Sequence, residues 1–124
     1  MKKYIIYITL ILSSCNTADD FYEKGDDKMY LDDDYEKAIV YFNKAIELDS
    51  NHIRSYRRRA EARVKVEDYQ GAILDYTKII EFQDYPKKQI SPRQAKFYQT
   101  DYVLQEAYHG RGIVKEKIKD YKGA

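Results

Sequence analysis

Cys15 is the one thiol in this 124-residue chain, and it stands behind a distinctive run, MKKYIIYITLILSSC: a basic start, mostly apolar residues from Tyr4 to Leu12, then two serines. A lone cysteine makes neither an intramolecular disulfide nor a multi-thiolate metal site. Its use is set by its neighbours. The other residues able to do chemistry do not converge. His52 falls in a turn and His109 on a helix, with no cysteine or carboxylate site joining them, so neither a metal nor an acid–base role emerges. Asp32-Asp33-Asp34 lacks the alternating oxygen ligands and the glycine of a calcium loop and reads as a solvated turn. Gly110-Arg111-Gly112 is too short to cradle a phosphate and follows no strand. The expectation is a protein that is not an enzyme, with no catalytic residues, no metal and no cofactor.

The apolar run is too short to span a bilayer, which takes roughly 20 residues. Basic, then apolar, then small is the layout of a secretory signal. Leu12-Ser13-Ser14-Cys15 further resembles a bacterial lipobox. That resemblance implies that residues 1–14 are a lipoprotein signal peptide and that cleavage leaves Cys15 as the new N-terminus. It also makes Cys15 the lipid attachment site, acylated on sulfur and nitrogen. Several acyl chains, at about 0.8 kcal/mol per buried methylene, hold a protein stably on a membrane. The residue after the cysteine is Asn16 and not aspartate, so the usual inner-membrane retention signal is missing, which implies the outer membrane. Ala18-Asp19-Asp20 is similar to a short acidic export tag of some surface lipoproteins, and a solvated tether over 15–20 accounts for the two aspartates equally. A plain secretory signal, or an uncleaved anchor with an incidental cysteine, is the competing view of the leader.

Overall charge excludes some partners. Lys plus Arg is 22 against 21 for Asp plus Glu, which points to neither nucleic acid nor polyanions. Without the leader the balance is 20 basic to 21 acidic. Tyrosine is abundant, 14 residues beside four Phe and no Trp, and it suits half-buried helical surfaces because the ring packs while the hydroxyl stays wet.

Positioning is carried by a repeated word. DDYEKA at 33–38, EDYQGA at 67–72 and KDYKGA at 119–124 share D-Y-x-x-A. Their alanines, Ala38, Ala72 and Ala124, lie 34 and then 52 residues apart, the longer interval holding an insert of about 18. From Tyr35 to Leu48 the apolar set Tyr35, Ala38, Ile39, Phe42, Ala45, Ile46 falls at spacings of three and four, hence on one helical face. Asp34, Asp68 and Asp120 stand where a carboxylate can cap a helix start. A 34-residue period built from two helices resembles tetratricopeptide repeats (TPR). In the second unit Tyr56, Ala60, Tyr69, Ala72 and Tyr76 take the family's aromatic and small positions, with Ile79 a departure from a small one. In the first, Phe21, Gly25, Leu31, Tyr35, Ala38, Phe42 and Ala45 do so, with one extra residue in the aspartate run and Ser50 for the usual proline. In the third, Tyr108, Gly112, Ile118, Tyr121 and Ala124 match.

The implied fold is all-α: a right-handed TPR solenoid of two helix-turn-helix repeats and a truncated third. Its TPR domain covers 21–124, with repeat one about 21–51, repeat two about 53–85, an insert about 87–104 and partial repeat three about 105–124. Ser91-Pro92 is a helix-start signal, so the insert either extends the third helix A, from about Pro92 to Lys119, or ends at a second start near Thr100-Asp101. Ile113, Val114 and Ile118 form an apolar face that lacks a hairpin mate, open to self-association.

The resemblance also places a concave groove along the first helix of each repeat, at Tyr22, Asp26 and Tyr30, at Arg57, Glu61 and Lys65, and at His109 and Glu116. The family's lysine and asparagine clamp for a C-terminal carboxylate is not reproduced. Six basic residues from Arg54 to Lys65 follow an acidic first unit, a pattern in which neighbouring repeats attract each other. The functional expectation is a non-catalytic protein–protein interaction scaffold, a lipid-anchored lipoprotein of the bacterial envelope that docks a protein or peptide. The alternatives are an envelope glycan-binding accessory protein using its tyrosines, or a truncated fragment of a longer TPR protein.

Overall fold

The first two copies of the repeated word share one local fate and the third meets another, and the first two explain the architecture. The structure, a computed structural model, describes residues 16–82 and 101–123. These form five helices: α1 Ala18–Tyr30, α2 Tyr35–Leu48, α3 Ile53–Lys65, α4 Tyr69–Glu81 and α5 Asp101–Gly123. Consecutive helices pack on one another and α1 also reaches α3, giving an all-α, TPR-like stack of helix pairs. Among the described residues there is no strand, and no helix is long and apolar enough to cross a membrane.

Helices α2 and α4 begin as the word predicts. The Asp34 carboxylate accepts from the Lys37 amide at 3.0 Å and the Asp68 carboxylate from the Gly71 amide at 3.0 Å. Each satisfies a backbone donor that the first helical turn leaves unpaired. The turns before them place a non-glycine residue in the left-handed region, Asp33 at φ 52° and Glu67 at φ 63°. Such residues cost roughly 1–2 kcal/mol, which the packing of the second helix on the first offsets.

Asp120 does not follow this rule. The helix α5 runs unbroken from Asp101 to Gly123, so residues 119–123 of the third word lie inside its last turns and no helix begins there. The physical reason is propagation. Lys119-Asp120-Tyr121 contains no breaker, extending a helix adds one hydrogen bond per residue, and no described helix packs back to offset the cost of turning. A second correction concerns the N-terminal side. Ala18-Asp19-Asp20, expected in the tether, belongs to α1, which starts with a capping box in which Asp20 receives the Thr17 amide at 2.7 Å and Thr17 Oγ1 receives the Asp20 amide at 3.2 Å. The Thr17 amide, and after it the Thr17 hydroxyl donating at 2.9 Å, hold the Asp20 carboxyl below its ordinary value. The leader, Cys15, Ser91-Pro92 and the insert up to residue 100 lie outside the described residues.

The core has two lobes that meet along α3. Tyr22, Met29, Ala38, Phe42, Ala45 and Ala62 fill the first. The second is built from Ile53, Tyr56, Ala60, Ala72, Tyr76, Ile79 and Phe82, closed by Val103, Ala107 and Val114 of α5. Small residues are explained by close approach. A Cβ on Gly25 would lie 2.5 Å from the Phe42 ring, and one on Gly110 would lie 2.5 Å from the Tyr76 ring. The apolar face assigned to Ile113, Val114 and Ile118 divides: Val114 is 1% exposed against α4, Ile118 is half-buried, and only Ile113 is open, at 42%. An α-helix advances 100° per residue, so Ile113 and Val114 cannot share a face as closely as their adjacency suggests.

Candidate functional site

Helix α3 carries the charge, and its arginines reach outward to both neighbours. Arg54 pairs with Asp19 at 3.7 Å and Glu23 at 3.6 Å of α1. Arg58 sits against Asp26 at 3.2 Å and Glu61 at 2.9 Å, donates to the Tyr30 hydroxyl, and stacks 5.0 Å from the Tyr30 ring centroid. Its Nε also lies 3.4 Å from the Tyr22 hydroxyl. In the other direction Arg57 donates to Glu106 of α5 at 3.0 Å. The predicted attraction between an acidic first unit and a basic second one is therefore present as ion pairs.

Burial alone would disfavour the Arg58 charge, yet the Tyr22 and Glu61 hydrogen bonds and the Glu61 and Asp26 charges outweigh it and raise its pKa. Arg57 is likewise raised, burial opposing and the Glu106 hydrogen bond and charge prevailing. Both guanidinium groups are locked in their charged form.

The groove positions inferred from the repeat pattern thus fall into two classes. Asp26, Tyr30 and Glu61 gather around Arg58, and Arg57 is drawn to Glu106. Lys65, His109 and Glu116 are exposed, with no hydrogen bond or ion pair joining them to that cluster among the described residues. Tyr22 is a correction. It is 2% exposed, wedged between the Phe42 ring at 6.0 Å and the His52 ring at 5.7 Å, so its ring is core. Two adjacent aromatics, Phe21 and Tyr22, compete for the interior, and the ring that faces α2 and α3 together buries more area.

His52 works as a staple. At the head of α3, its Nε2 lies 3.0 Å from Asp19 of α1 and its Nδ1 lies 2.7 Å from Ser55 Oγ. Among the described residues no His, Cys, Asp and Glu group could hold a metal ion.

Sequence reasoning missed the most buried charge among the described residues. Asp75 is 2% exposed in the apolar row of α4, gripped bidentately by Arg59 at 2.6 and 3.0 Å and by Arg63 at 2.8 Å. Arg59 also donates to Asn43 of α2 at 2.7 Å. Burial raises the Asp75 carboxyl above its ordinary value against the pull of both arginines. The signal that could have found it is an acid at the second place of the row Ala72, Asp75, Tyr76, Ile79, with Arg59 and Arg63 four residues apart on the preceding helix.

With this geometry in place, the comparisons can be read. The human peptidyl-prolyl cis-trans isomerase FKBP4 is 37% identical over 60 residues, which is 48% of this chain and 13% of that protein. The chain therefore spans only a small part of that relative's length. No family model matches the chain, and no solved structure matches it.

Proposed function

We propose that this chain is a non-catalytic scaffold for a protein or peptide partner, held at the bacterial envelope by a lipid on Cys15 and oriented along the side shared by α1, α3 and α5. The observation that carries the reading is a mixed surface on a rigid floor. The Arg58 and Arg57 ion pairs tie the three helices together, and beside them stand an exposed Tyr30, at 56%, and the exposed Lys65, His109 and Glu116. Exposed tyrosine and charged side chains around a preorganised base suit peptide recognition. The isomerase activity in the relative's name is not carried over, because the match covers 13% of that protein. The glycan reading is less well supported, since Tyr22, Tyr56 and Tyr76 are spent in the core and the exposed Tyr30 and Tyr108 rings already face the Arg58 and Arg111 guanidinium groups.

The test is crosslinking capture from envelope fractions with the intact chain, compared with a Tyr30→Ala, Lys65→Glu double variant. Loss of the captured partner by at least tenfold supports the groove. Capture that is unchanged, or binding to glycans alone, overturns it. Labelling with a fatty-acid analogue tests the anchor separately, and incorporation that survives Cys15→Ala removes that part of the proposal.

A further inference from the structure

Helix α5 repeats the working surface of α3 at an offset of 52 residues. On α3 a stripe of Tyr56, Arg59, Ala60 and Arg63 is covered by α4, and on α5 the equivalent stripe is Tyr108, Arg111, Gly112 and Lys115. The correspondence is geometric as well as sequential. The Arg59 guanidinium lies 5.4 Å from the Tyr56 ring centroid and the Arg111 guanidinium 5.4 Å from the Tyr108 centroid. Arg59 donates back to Asn43 on α2, and Arg111 reaches back to Thr77 on α4 at 3.5 Å, 34 residues further along. The other faces also agree, since Ser55 and Ala62 are buried on α3 just as Ala107 and Val114 are on α5.

What differs is the cover. Ala60 is fully buried, whereas a Cβ on Gly112 would meet nothing within 4 Å, Tyr108 is 50% exposed and Lys115 is exposed. No described residue supplies the carboxylate that Asp75 supplies to Arg59 and Arg63. In the first unit lysines, Lys24 and Lys28, stand at the two cationic places and α2 puts Tyr41 at the place of Asp75, so an arginine at the first place accompanies a carboxylate on the docked helix.

The geometry points to the Tyr108–Lys115 stripe as a docking site for an acidic amphipathic helix of a partner protein, distinct from the groove and independent of it. The helix sets a carboxylate between Arg111 and Lys115, as Asp75 sits between Arg59 and Arg63. One turn before it, a small residue lies over the stripe, as Ala72 does, and the following residue is aromatic, as Tyr76 is. A guanidinium and an ammonium four residues apart favour one shared carboxylate over a neutral side chain. They also disfavour a second copy of α5, whose exposed Lys115, Lys117, Lys119 and Lys122 would meet like charge.

The chain itself supplies the probe. A helix-stapled, fluorescent peptide of residues 67–82, which contains α4, is titrated against the full chain and followed by anisotropy. Saturable binding is expected. It should weaken at least tenfold with Lys115→Glu or Arg111→Glu in the protein or Asp75→Asn in the peptide, and persist with Lys115→Arg. Lys115 makes no ion pair with the described residues, so its variants keep the fold, which a thermal melt confirms. Absence of saturable binding, or binding indifferent to Lys115→Glu, overturns the proposal. So does a sedimentation result in which the chain dimerises and Lys115→Glu separates it, since the stripe then belongs to a second copy.

Discussion

Gly25 and Gly112 occupy equivalent places on the first and last described helices, and their surroundings are opposite. The Phe42 ring fills the notch over Gly25, while nothing described approaches Gly112. A helical glycine costs roughly 1 kcal/mol relative to alanine. At Gly25 the close approach of α2 returns that cost as packing, and at Gly112 it does not among the described residues. The lesson is that a residue chosen for contact shows its value only where the contact exists.

The contrast between covered and open stripe can be broken most severely at the covered end. Asp75→Ala removes the buried carboxylate that Arg59 and Arg63 share, leaving Arg59 without an ion pair and Arg63 with only Asp68 at 3.4 Å, and should cost about 3–5 kcal/mol by chemical denaturation, whereas Lys115→Ala should stay within about 0.5 kcal/mol. Next in size is the glycine pair. Gly25→Ala should destabilise by about 1–3 kcal/mol because Phe42 must shift, and Gly112→Ala should instead stabilise by up to about 1 kcal/mol. Equal effects at the two sites would contradict the difference in cover.

The caps give a smaller separation. Asp34→Ala and Asp68→Ala should each lose about 1 kcal/mol, and Asp120→Ala close to nothing, since it lies within α5 and not at a described helix start. The last comparison is a pH profile. Burial pushes the Tyr76 hydroxyl up to about 12 from an ordinary 10.0. The folded state therefore favours the protonated ring, and its contribution is complete below about pH 10 and lost as the pH rises toward 12. Tyr76→Phe should flatten the alkaline limb of the stability profile between those values.

Much of this architecture was legible in the residues. The 34-residue spacing, the Asp34 and Asp68 caps and the single apolar face from Tyr35 to Leu48 all correspond to observed elements. What was illegible shares a cause, dependence on a distant neighbour. Asp75 interrupts an apolar row and makes sense only with Arg59 and Arg63, on another helix. Tyr22 and Phe21 are equal candidates for the interior until α3 arrives to cover one of them. Asp120 carries the same local signal as Asp34 and Asp68, yet the helix continues through it. The ion pairs that hold Arg57 and Arg58 have the same dependence, since they are made with Glu106 and Asp26 across helix boundaries.

The capping box at Thr17 and Asp20 has a consequence for where the scaffold can search. It begins α1 at Ala18, so only Asn16 and Thr17 lie between Cys15 and rigid structure. At no more than about 3.6 Å per extended residue, a lipid on Cys15 would give the first helix a leash of on the order of 10 Å. A molecule so anchored would patrol a thin layer along the lipid headgroups and would not swing out toward distant targets. Any partner would have to come to the bilayer to be met, and encounter would become a two-dimensional event governed by lateral diffusion.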